Sequence, residues 1–137
     1  MSALRTLVVD DHEDLRKLLR WMLQEKTECV VIGEASDGLQ AIEQAKELQP
    51  DLILLDLALP KLNGMEAARQ IRNACPQSKI IFLSQDSSPE IVEGALLLGA
   101  AGYLLKSDAT ELPLAVDAVL RGEVFVSRRA TPGSRPI

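Results

Sequence analysis

The stretch "DLILLDLALPKLNG", residues 51–64, is an apolar run with a carboxylate in its middle, followed by a turn that contains Pro, Asn and Gly. Its continuous apolar character between Asp51 and Asp56 is typical of a parallel strand that is covered on both faces. Burying an isolated carboxylate is costly or raises its pKa, so such a group is normally paired, bound to a metal or reached by water. Asp56 therefore needs a partner from elsewhere in the sequence.

Composition bounds the class of protein. The chain has 137 residues, of which 47% are hydrophobic and 26% charged, and this predicts one globular domain with a substantial core. No stretch approaches the roughly 18 to 20 apolar residues of a membrane span, and the amino terminus lacks a secretory signal. We therefore expect a cytoplasmic protein that does not contact a membrane.

The net charge of −5 argues against nonspecific nucleic-acid binding by this segment. Cys29 and Cys75 have no nearby Cys or His, and we expect two free thiols.

Apolar periodicity alternates between strand and helix patterns along the chain. This alternation predicts a parallel sheet with helices on both faces, joined by right-handed crossovers. The predicted fold class is a doubly wound α/β sandwich with strand order 2-1-3-4-5. The predicted strands are residues 4–9, 30–32, 51–56, 79–84 and 102–105, and the predicted helices cover about 15–23, 37–48, 65–74, 88–98 and 110–121.

The first and last helices carry apolar stripes at helical spacing, which predict the faces that they bury. Trp21, Leu97 and Leu114 lie off the predicted stripes, and each is a candidate contact residue. The two stripes are Leu15, Leu18, Leu19, Met22 and Leu23 in the first helix, and Leu112, Ala115, Val116, Val119 and Leu120 in the last.

The regular pattern ends near Gly122. The segment "RRATPGSRPI", residues 128–137, is basic and contains Pro and Gly, as a linker or tail would. We assign residues 1–122 to one domain and residues 123–137 to a C-terminal extension or linker. The sequence leaves open whether the chain is a fragment or a stand-alone protein.

Polar residues stand at the carboxyl ends of four predicted strands. Asp10 and Asp11 follow the first strand, Asp56 ends the third, Ser84 ends the fourth and Lys106 follows the fifth. Ligands of open parallel sheets bind at these strand ends, so we expect the five residues to share one site.

Three carboxylates in one site repel one another and need a cation, and their hard oxygen ligands select Mg²⁺ or a similar divalent ion. A hydroxyl and an ammonium beyond the acids indicate that an anion is also bound, and Lys is a good point-charge partner of phosphate. Phosphoryl transfer to a carboxylate fits best, with Asp56 as the nucleophile and with Ser84 and Lys106 on the transferring oxygens. The blander alternatives are that Asp10 or Asp11 caps the first helix, that Ser84 is an ordinary loop hydroxyl and that Lys106 is a surface charge.

The motifs "VVDDHEDLR", "DLILLDLALPKLNG", "FLSQD" and "GYLLKS" agree in order and position with the receiver domains of bacterial two-component response regulators. The chain resembles these domains over roughly residues 3–122. The resemblance implies a flavodoxin-like (βα)5 fold and a phosphoacceptor switch, not an enzyme that turns over an external substrate. It also implies that a sensor histidine kinase or phosphotransfer protein donates the phosphoryl group to Asp56.

The same resemblance implies a role for each site residue. Asp11, Asp56 and the backbone carbonyl of Ala58 would ligate Mg²⁺, while Asp10 would act largely through water. Ser84 and Lys106 would hold the phosphoryl group. Tyr103, three positions before Lys106, would be a rotamer switch together with Ser84, although from its strand alone it reads as a surface aromatic. We expect phosphorylation to draw Ser84 inward and so vacate space for the ring of Tyr103.

The stretch "LLLGAAGYLLKSDATELPLAVDAVLRGEVFVS", residues 96–127, looks most like the receivers of LuxR-type, nitrate-response-like transcription regulators. The resemblance implies a transcriptional output through a DNA-binding domain that is absent from these residues. Our further hypothesis is that phosphorylation causes homodimerisation, through the first and last helices or the face of the fifth strand.

Two alternatives remain open. A phosphohydrolase of the haloacid dehalogenase kind generally has a second Asp two residues after the nucleophile, where this chain has Ala58. A pseudo-receiver would keep the fold as a phosphorylation-independent interaction module. Gln85, which follows Ser84 where many receivers have a small residue, keeps this second alternative open because it could narrow the access to Asp56.

Overall fold

The computed structural model describes residues 3–130. Its strands form one parallel sheet in the order β2-β1-β3-β4-β5-β6. The predicted order 2-1-3-4-5 is confirmed, and a sixth strand that was not predicted extends the sheet. The strands are β1 Leu4–Val9, β2 Cys29–Ala35, β3 Leu52–Asp56, β4 Lys79–Ser84, β5 Gly102–Leu105 and β6 Phe125–Val126.

Local signals in the sequence set the helix starts. The side chain of Asp37 accepts a hydrogen bond from the Gln40 N–H and caps α2, and the side chain of Asn63 caps α3 in the same way. A 3₁₀ helix over Lys106–Glu111 precedes α5, which therefore begins two residues later than predicted. None of the helices within residues 3–130 is long and apolar enough to cross a membrane. The helices are α1 Glu13–Lys26, α2 Gly38–Leu48, α3 Gly64–Ala74, α4 Pro89–Leu97 and α5 Leu112–Leu120.

The sheet separates two apolar cores. Alternate residues of each central strand face opposite sides, so that in β3 Ile53 packs in one core and Leu54 in the other. Helices α2, α3 and α4 contribute to the core that contains Ile53, and α1 and α5 contribute to the core that contains Leu54. Cys29 and Cys75 are buried free thiols, as predicted.

Two residues of the predicted stripes are exposed. Leu18 is 47% exposed and Leu120 is 49% exposed, so their prediction as core residues is wrong. A helix that packs on a sheet buries only the middle of its apolar stripe; Leu18 lies at the edge of that stripe and Leu120 at the end of α5. Trp21, Leu97 and Leu114 are exposed, in agreement with their predicted positions off the stripes.

The sixth strand ties the segment after α5 to β5. In this pairing Val126 lies opposite Tyr103. Ser127 is buried; its N–H donates to the carbonyl of Tyr103 at 2.9 Å, and its Oγ accepts from the N–H of Leu105 at 2.9 Å. The first part of the predicted extension is therefore part of the sheet. Residues 131–137, the last seven residues of the predicted extension or linker, lie outside the described residues.

Candidate functional site

Three charged side chains meet at the carboxyl end of the sheet. Asp10 follows β1, Asp56 ends β3 and Lys106 follows β5. The three side chains meet because these parallel strands end at the same edge of the sheet. Asp10 is 0% exposed and Asp56 is 1% exposed. Lys106 Nζ lies 2.9 Å from Asp10 Oδ2 and 3.0 Å from Asp56 Oδ2. One ammonium group therefore lies between two buried carboxylates, and this leaves a net negative charge in a poorly solvated place.

The pKa values of these groups reflect burial opposed by local donors. Burial raises the pKa of Asp56, and the Ala58 N–H, 3.0 Å from Asp56 Oδ1, together with Lys106 offsets this only in part. Asp10 is also penalised by burial, but the Lys106 ammonium and the N–H of His12 hold its pKa below the ordinary value. Burial disfavours charged Lys106, yet the two carboxylates hold its pKa above the ordinary value. Asp56 is thus the least stabilised charge in the group.

The acidic group has the spacing and the donors of a divalent-cation site. Asp10, Asp11, His12 and Asp56 each offer a ligand atom, and these atoms lie within 4.8 Å of one another. Oxygen ligands bonded to Mg²⁺ at about 2.0 to 2.1 Å are about 4 Å apart when they lie on opposite sides of the ion and closer when they are neighbours. Asp10 Oδ2 is buried, and among the described residues its one charged partner is the Lys106 ammonium at 2.9 Å. The residues present therefore fit Mg²⁺ or a similar ion.

The turn after β1 is fixed by its own hydrogen bonds. Asp10 Oδ1 accepts from the N–H of His12 at 2.8 Å, and Arg16 Nη1 donates to the carbonyl of Asp10 at 2.6 Å. Arg16 Nε in turn lies 3.1 Å from Glu34 Oε1 on β2. The residue that precedes α1 is His12, so the alternative in which Asp10 or Asp11 caps this helix is wrong. Our reading of the sequence missed His12 and Arg16; their signal was the tight "DDHEDLR" cluster, in which Arg16 lies one helical turn beyond His12.

A second hydrogen-bonded group lies in the loop after β4. Ser84 Oγ accepts from the N–H of Asp86 at 2.9 Å, and the hydroxyl of Tyr103 donates to the carbonyl of Asp86 at 2.5 Å. Tyr103 is 0% exposed, so its interpretation as a surface aromatic is wrong, and burial raises the pKa of its hydroxyl. The ring is already buried in this structure. Asp86, which the sequence reading also missed, joins Ser84 to Tyr103.

The structure thus brings together four of the predicted site residues directly: Asp10, Asp11, Asp56 and Lys106. Ser84 lies beside them, because it follows Leu83, the residue opposite Asp56 in the sheet. Ala58 contributes its N–H to Asp56, whereas the role of its carbonyl stays a prediction. A surface cavity beside the site is lined by Leu57, Ala58, Asn63, Met65, Ser84, Asp86 and Ile91.

Comparisons with known proteins agree with this geometry. A family model described as the response regulator receiver domain matches residues 6–117. The nitrate/nitrite response regulator protein NarL of Escherichia coli strain K12 is 39% identical over 127 residues, which are 92% of this chain and 59% of NarL. A crystal structure of a LuxR-family two-component response regulator from Aurantimonas sp. SI85-9A1 has a TM-score of 0.86 at 33% identity and covers 93% of this chain and 91% of that one.

A structure of two RcsB dimers bound to two parallel DNAs has a TM-score of 0.86 at 26% identity and covers 94% of this chain and 66% of that one. The chain spans less than two thirds of the length of its curated relative NarL. The match of the family model and the similarity to NarL extend over most of the described residues. This chain belongs to the response regulator receiver domain family, with relatives of the LuxR and NarL type.

Proposed function

We propose that this chain is a phosphorylation-activated switch in which Asp56 accepts a phosphoryl group. The donor is the phosphohistidine of a sensor histidine kinase or a phosphotransfer protein. The observation that carries the proposal is the position of Asp56: it is a buried carboxylate, 3.0 Å from the ammonium of Lys106, inside an acidic group that fits a divalent cation. A buried carboxylate with too little compensating charge is poorly solvated, and it gains from contact with cationic and phosphoryl groups.

The transfer itself is a displacement at phosphorus. An oxygen of Asp56 forms a bond to phosphorus while the bond from phosphorus to the donor nitrogen breaks, and the imidazole leaves with the electron pair and takes up a proton. Lys106 is placed to donate to a phosphoryl oxygen, since its Nζ already lies against Asp56 Oδ2. Ser84 would give up its bond to Asp86 and donate its hydroxyl to another phosphoryl oxygen.

We propose Mg²⁺ as the cation of this site. Asp11, Asp56 and the carbonyl of Ala58 would hold it directly, and Asp10 would act largely through water. When bound, Mg²⁺ supplies positive charge that offsets the carboxylates and the charge on the phosphoryl oxygens. Lys106, whose ammonium lies between Asp10 and Asp56, would then turn to the phosphoryl group.

The switch would act through Asp86. Ser84 and Tyr103 bind opposite sides of this residue, its N–H and its carbonyl. When Ser84 turns to the phosphoryl group it releases the Asp86 N–H, and the loop can then shift together with the Tyr103 hydroxyl. Because the hydroxyl of the buried Tyr103 donates to the carbonyl of Asp86, a shift of this loop would also change the position of the ring. Phosphorylation would shift the population between the two loop arrangements.

We propose a transcriptional output in the cytoplasm, through a DNA-binding domain outside these residues, because the relatives of this chain are longer transcription regulators. We also propose that phosphorylation promotes homodimerisation through the α1–α5 face. Leu18 and Trp21 are exposed on α1, and Leu114 and Leu120 are exposed on α5. RcsB, which forms dimers on DNA, has the same fold.

Sedimentation of the phosphorylated chain tests the dimer. Leu114→Glu should keep the phosphorylated protein monomeric, because it places a charge in the apolar face that the dimer would bury. Leu97→Glu is the matched control, since Leu97 is 82% exposed but lies on α4. A wild-type protein that stays monomeric in both phosphorylation states at all concentrations would contradict the dimer.

Intact-mass spectrometry tests the phosphoacceptor. We expect one phosphoryl adduct after incubation with Mg²⁺ and acetyl phosphate, and no adduct in Asp56→Asn. An adduct that persists in Asp56→Asn would place the acceptor elsewhere. The absence of any adduct, even with candidate kinases, would favour the pseudo-receiver and make Gln85 the first residue to mutate. Turnover of phosphate esters would instead favour the phosphohydrolase.

A further inference from the structure

We propose that His12 is a further ligand of the cation site, through Nδ1, and that it gives this site a preference for first-row transition-metal ions over Mg²⁺. The inference rests on the proposed function, because it needs the cation site at Asp10, Asp11 and Asp56. It adds a nitrogen ligand to a set of oxygen ligands, and this changes which divalent ions the site selects.

The position of the imidazole ring carries the inference. His12 Nδ1 lies 3.1 Å from Asp10 Oδ1 and 3.2 Å from Asp11 Oδ1. It belongs to the same group of ligand atoms, all within 4.8 Å of one another, that contains the Asp56 carboxylate. The side chain of His12 is 65% exposed, yet this nitrogen faces the acids. The ring therefore borders the space that a cation bound to these carboxylates would occupy.

The main chain holds His12 in this position. Its N–H donates to Asp10 Oδ1 at 2.8 Å, and α1 begins at the next residue, Glu13. Arg16, in the first turns of α1, donates to the carbonyl of Asp10 at 2.6 Å and so ties the helix to the end of β1. A cation can thus meet Nδ1 without a rearrangement of the backbone. The other oxygen of Asp10, Oδ2, is buried, and its partner among residues 3–130 is the Lys106 ammonium at 2.9 Å.

The chemistry of imidazole predicts which ions gain. Imidazole nitrogen suits zinc, copper, iron and nickel, whereas carboxylate, carbonyl and water oxygens suit Mg²⁺, Ca²⁺ and Mn²⁺. Binding through Nδ1 requires the tautomer whose proton is on Nε2, and the exposure of the ring lets this N–H reach water. We therefore expect His12 to strengthen the binding of Ni²⁺ and Cu²⁺ and to leave the binding of Mg²⁺ almost unchanged.

The sequence makes the test unusually direct, because it contains one histidine. Tag-free protein is labelled with ¹⁵N-histidine and loaded with Cu²⁺, and pulsed electron paramagnetic resonance detects nitrogen bound to the ion. We expect a ¹⁴N imidazole coupling in unlabelled protein that becomes a ¹⁵N coupling on labelling and disappears in His12→Ala. In titrations with Ni²⁺ and Mg²⁺, we expect His12→Ala to raise the Ni²⁺ Kd about tenfold and the Mg²⁺ Kd less than about twofold. His12→Gln, which keeps a polar side chain, should behave like His12→Ala.

The outcomes separate this inference from the proposed function. Cu²⁺ that binds without imidazole nitrogen coupling, or a Ni²⁺ Kd that is the same in wild type and His12→Ala, would overturn the role of His12 and leave the cation site intact. A wild-type protein that binds neither Ni²⁺ nor Mg²⁺, or that binds both as well after Asp56→Asn, would overturn the cation site and the proposed function with it.

Discussion

The two ends of the sheet handle charge in opposite ways. At the amino end, Arg5 is exposed, and its N–H donates to Asp51 Oδ2 at 2.9 Å. Its guanidinium donates to the carbonyls of Gln49 and Leu48, at 2.8 Å and 2.7 Å, and so satisfies the last carbonyls of α2. At the carboxyl end of the same strands, two carboxylates are buried and share one ammonium group.

This difference separates charges that stabilise the fold from charges kept for chemistry. The polar contacts of Arg5 at the amino end are exposed and satisfied, so they cost little and close the connection from α2 to β3. The carboxyl end keeps Asp10 and Asp56 out of water with too little positive charge, which destabilises the fold without a cation. The two carboxylates thus lower the stability of the fold but can bind a cation and a phosphoryl group. Such a trade between stability and function is common at functional sites.

Removal of the Lys106 ammonium, which the two buried carboxylates share, should change the free energy of unfolding most. We expect Lys106→Met to lower the free energy of unfolding of the metal-free protein by about 3 kcal/mol, because it leaves two buried carboxylates with no counter-charge. Lys79→Met, at the exposed amino end of β4, is the control and should change it by less than about 0.5 kcal/mol. Urea denaturation measures both. Equal losses of unfolding free energy in the two variants would mean that the two ends of the sheet do not differ in how much they depend on charge pairing.

Arg16 offers a smaller and more specific test at the carboxyl end. Arg16→Gln should weaken Mg²⁺ binding by about tenfold, since it removes the donor that fixes the carbonyl of Asp10. Arg20→Gln is the matched control: Arg20 pairs with the same Glu34 but, within residues 3–130, makes no hydrogen bond to the turn at Asp10. Calorimetric titration with Mg²⁺ measures the two affinities. An equal weakening in both variants would assign the effect to Glu34 and not to the turn.

The smallest effect is expected at the amino end. Asp51→Ala should lower the free energy of unfolding by about 0.5 to 1 kcal/mol, because it removes one exposed hydrogen bond to the Arg5 N–H. Phosphorylation by acetyl phosphate should be unchanged. Urea denaturation and intact-mass spectrometry test the two parts of this prediction. A loss of phosphorylation would show that the amino end contributes to the site.

Most of the fold and of the site follows from local patterns in the sequence. Strands β1, β4 and β5 have the predicted bounds, because their apolar stretches end at sharp polar positions or turns. The common location of Asp10, Asp56 and Lys106 follows from the strand order, which places their strand ends at one edge.

Features that depend on packing across the molecule were not predicted. Strand β6 has two residues and is defined by its pairing with β5, not by its own pattern. The inward position of Tyr103 depends on the carbonyl of Asp86, which lies 17 residues away in the chain. The contact of Arg16 with Asp10 depends on how α1 sits on β1 and β2. Such contacts are set by tertiary structure, which periodicity does not encode.

The most direct test of the trade between stability and function is the stability of Asp56→Asn without metal. We predict that at pH 7 this variant is more stable than wild type by about 1 kcal/mol in urea denaturation, because it removes a buried charge but keeps the shape of the side chain. Mg²⁺ should stabilise wild type and have less effect on the variant.

The pH dependence of this stability difference tests whether the buried charge of Asp56 is its cause. Burial raises the pKa of Asp56, so charged Asp56 destabilises the fold above that pKa, and the penalty disappears as the pH falls through it to the ordinary value of 3.8. The stability difference between Asp56→Asn and wild type should therefore shrink over this fall in pH. A variant that is less stable than wild type at pH 7, or a difference that does not shrink at lower pH, would contradict the account.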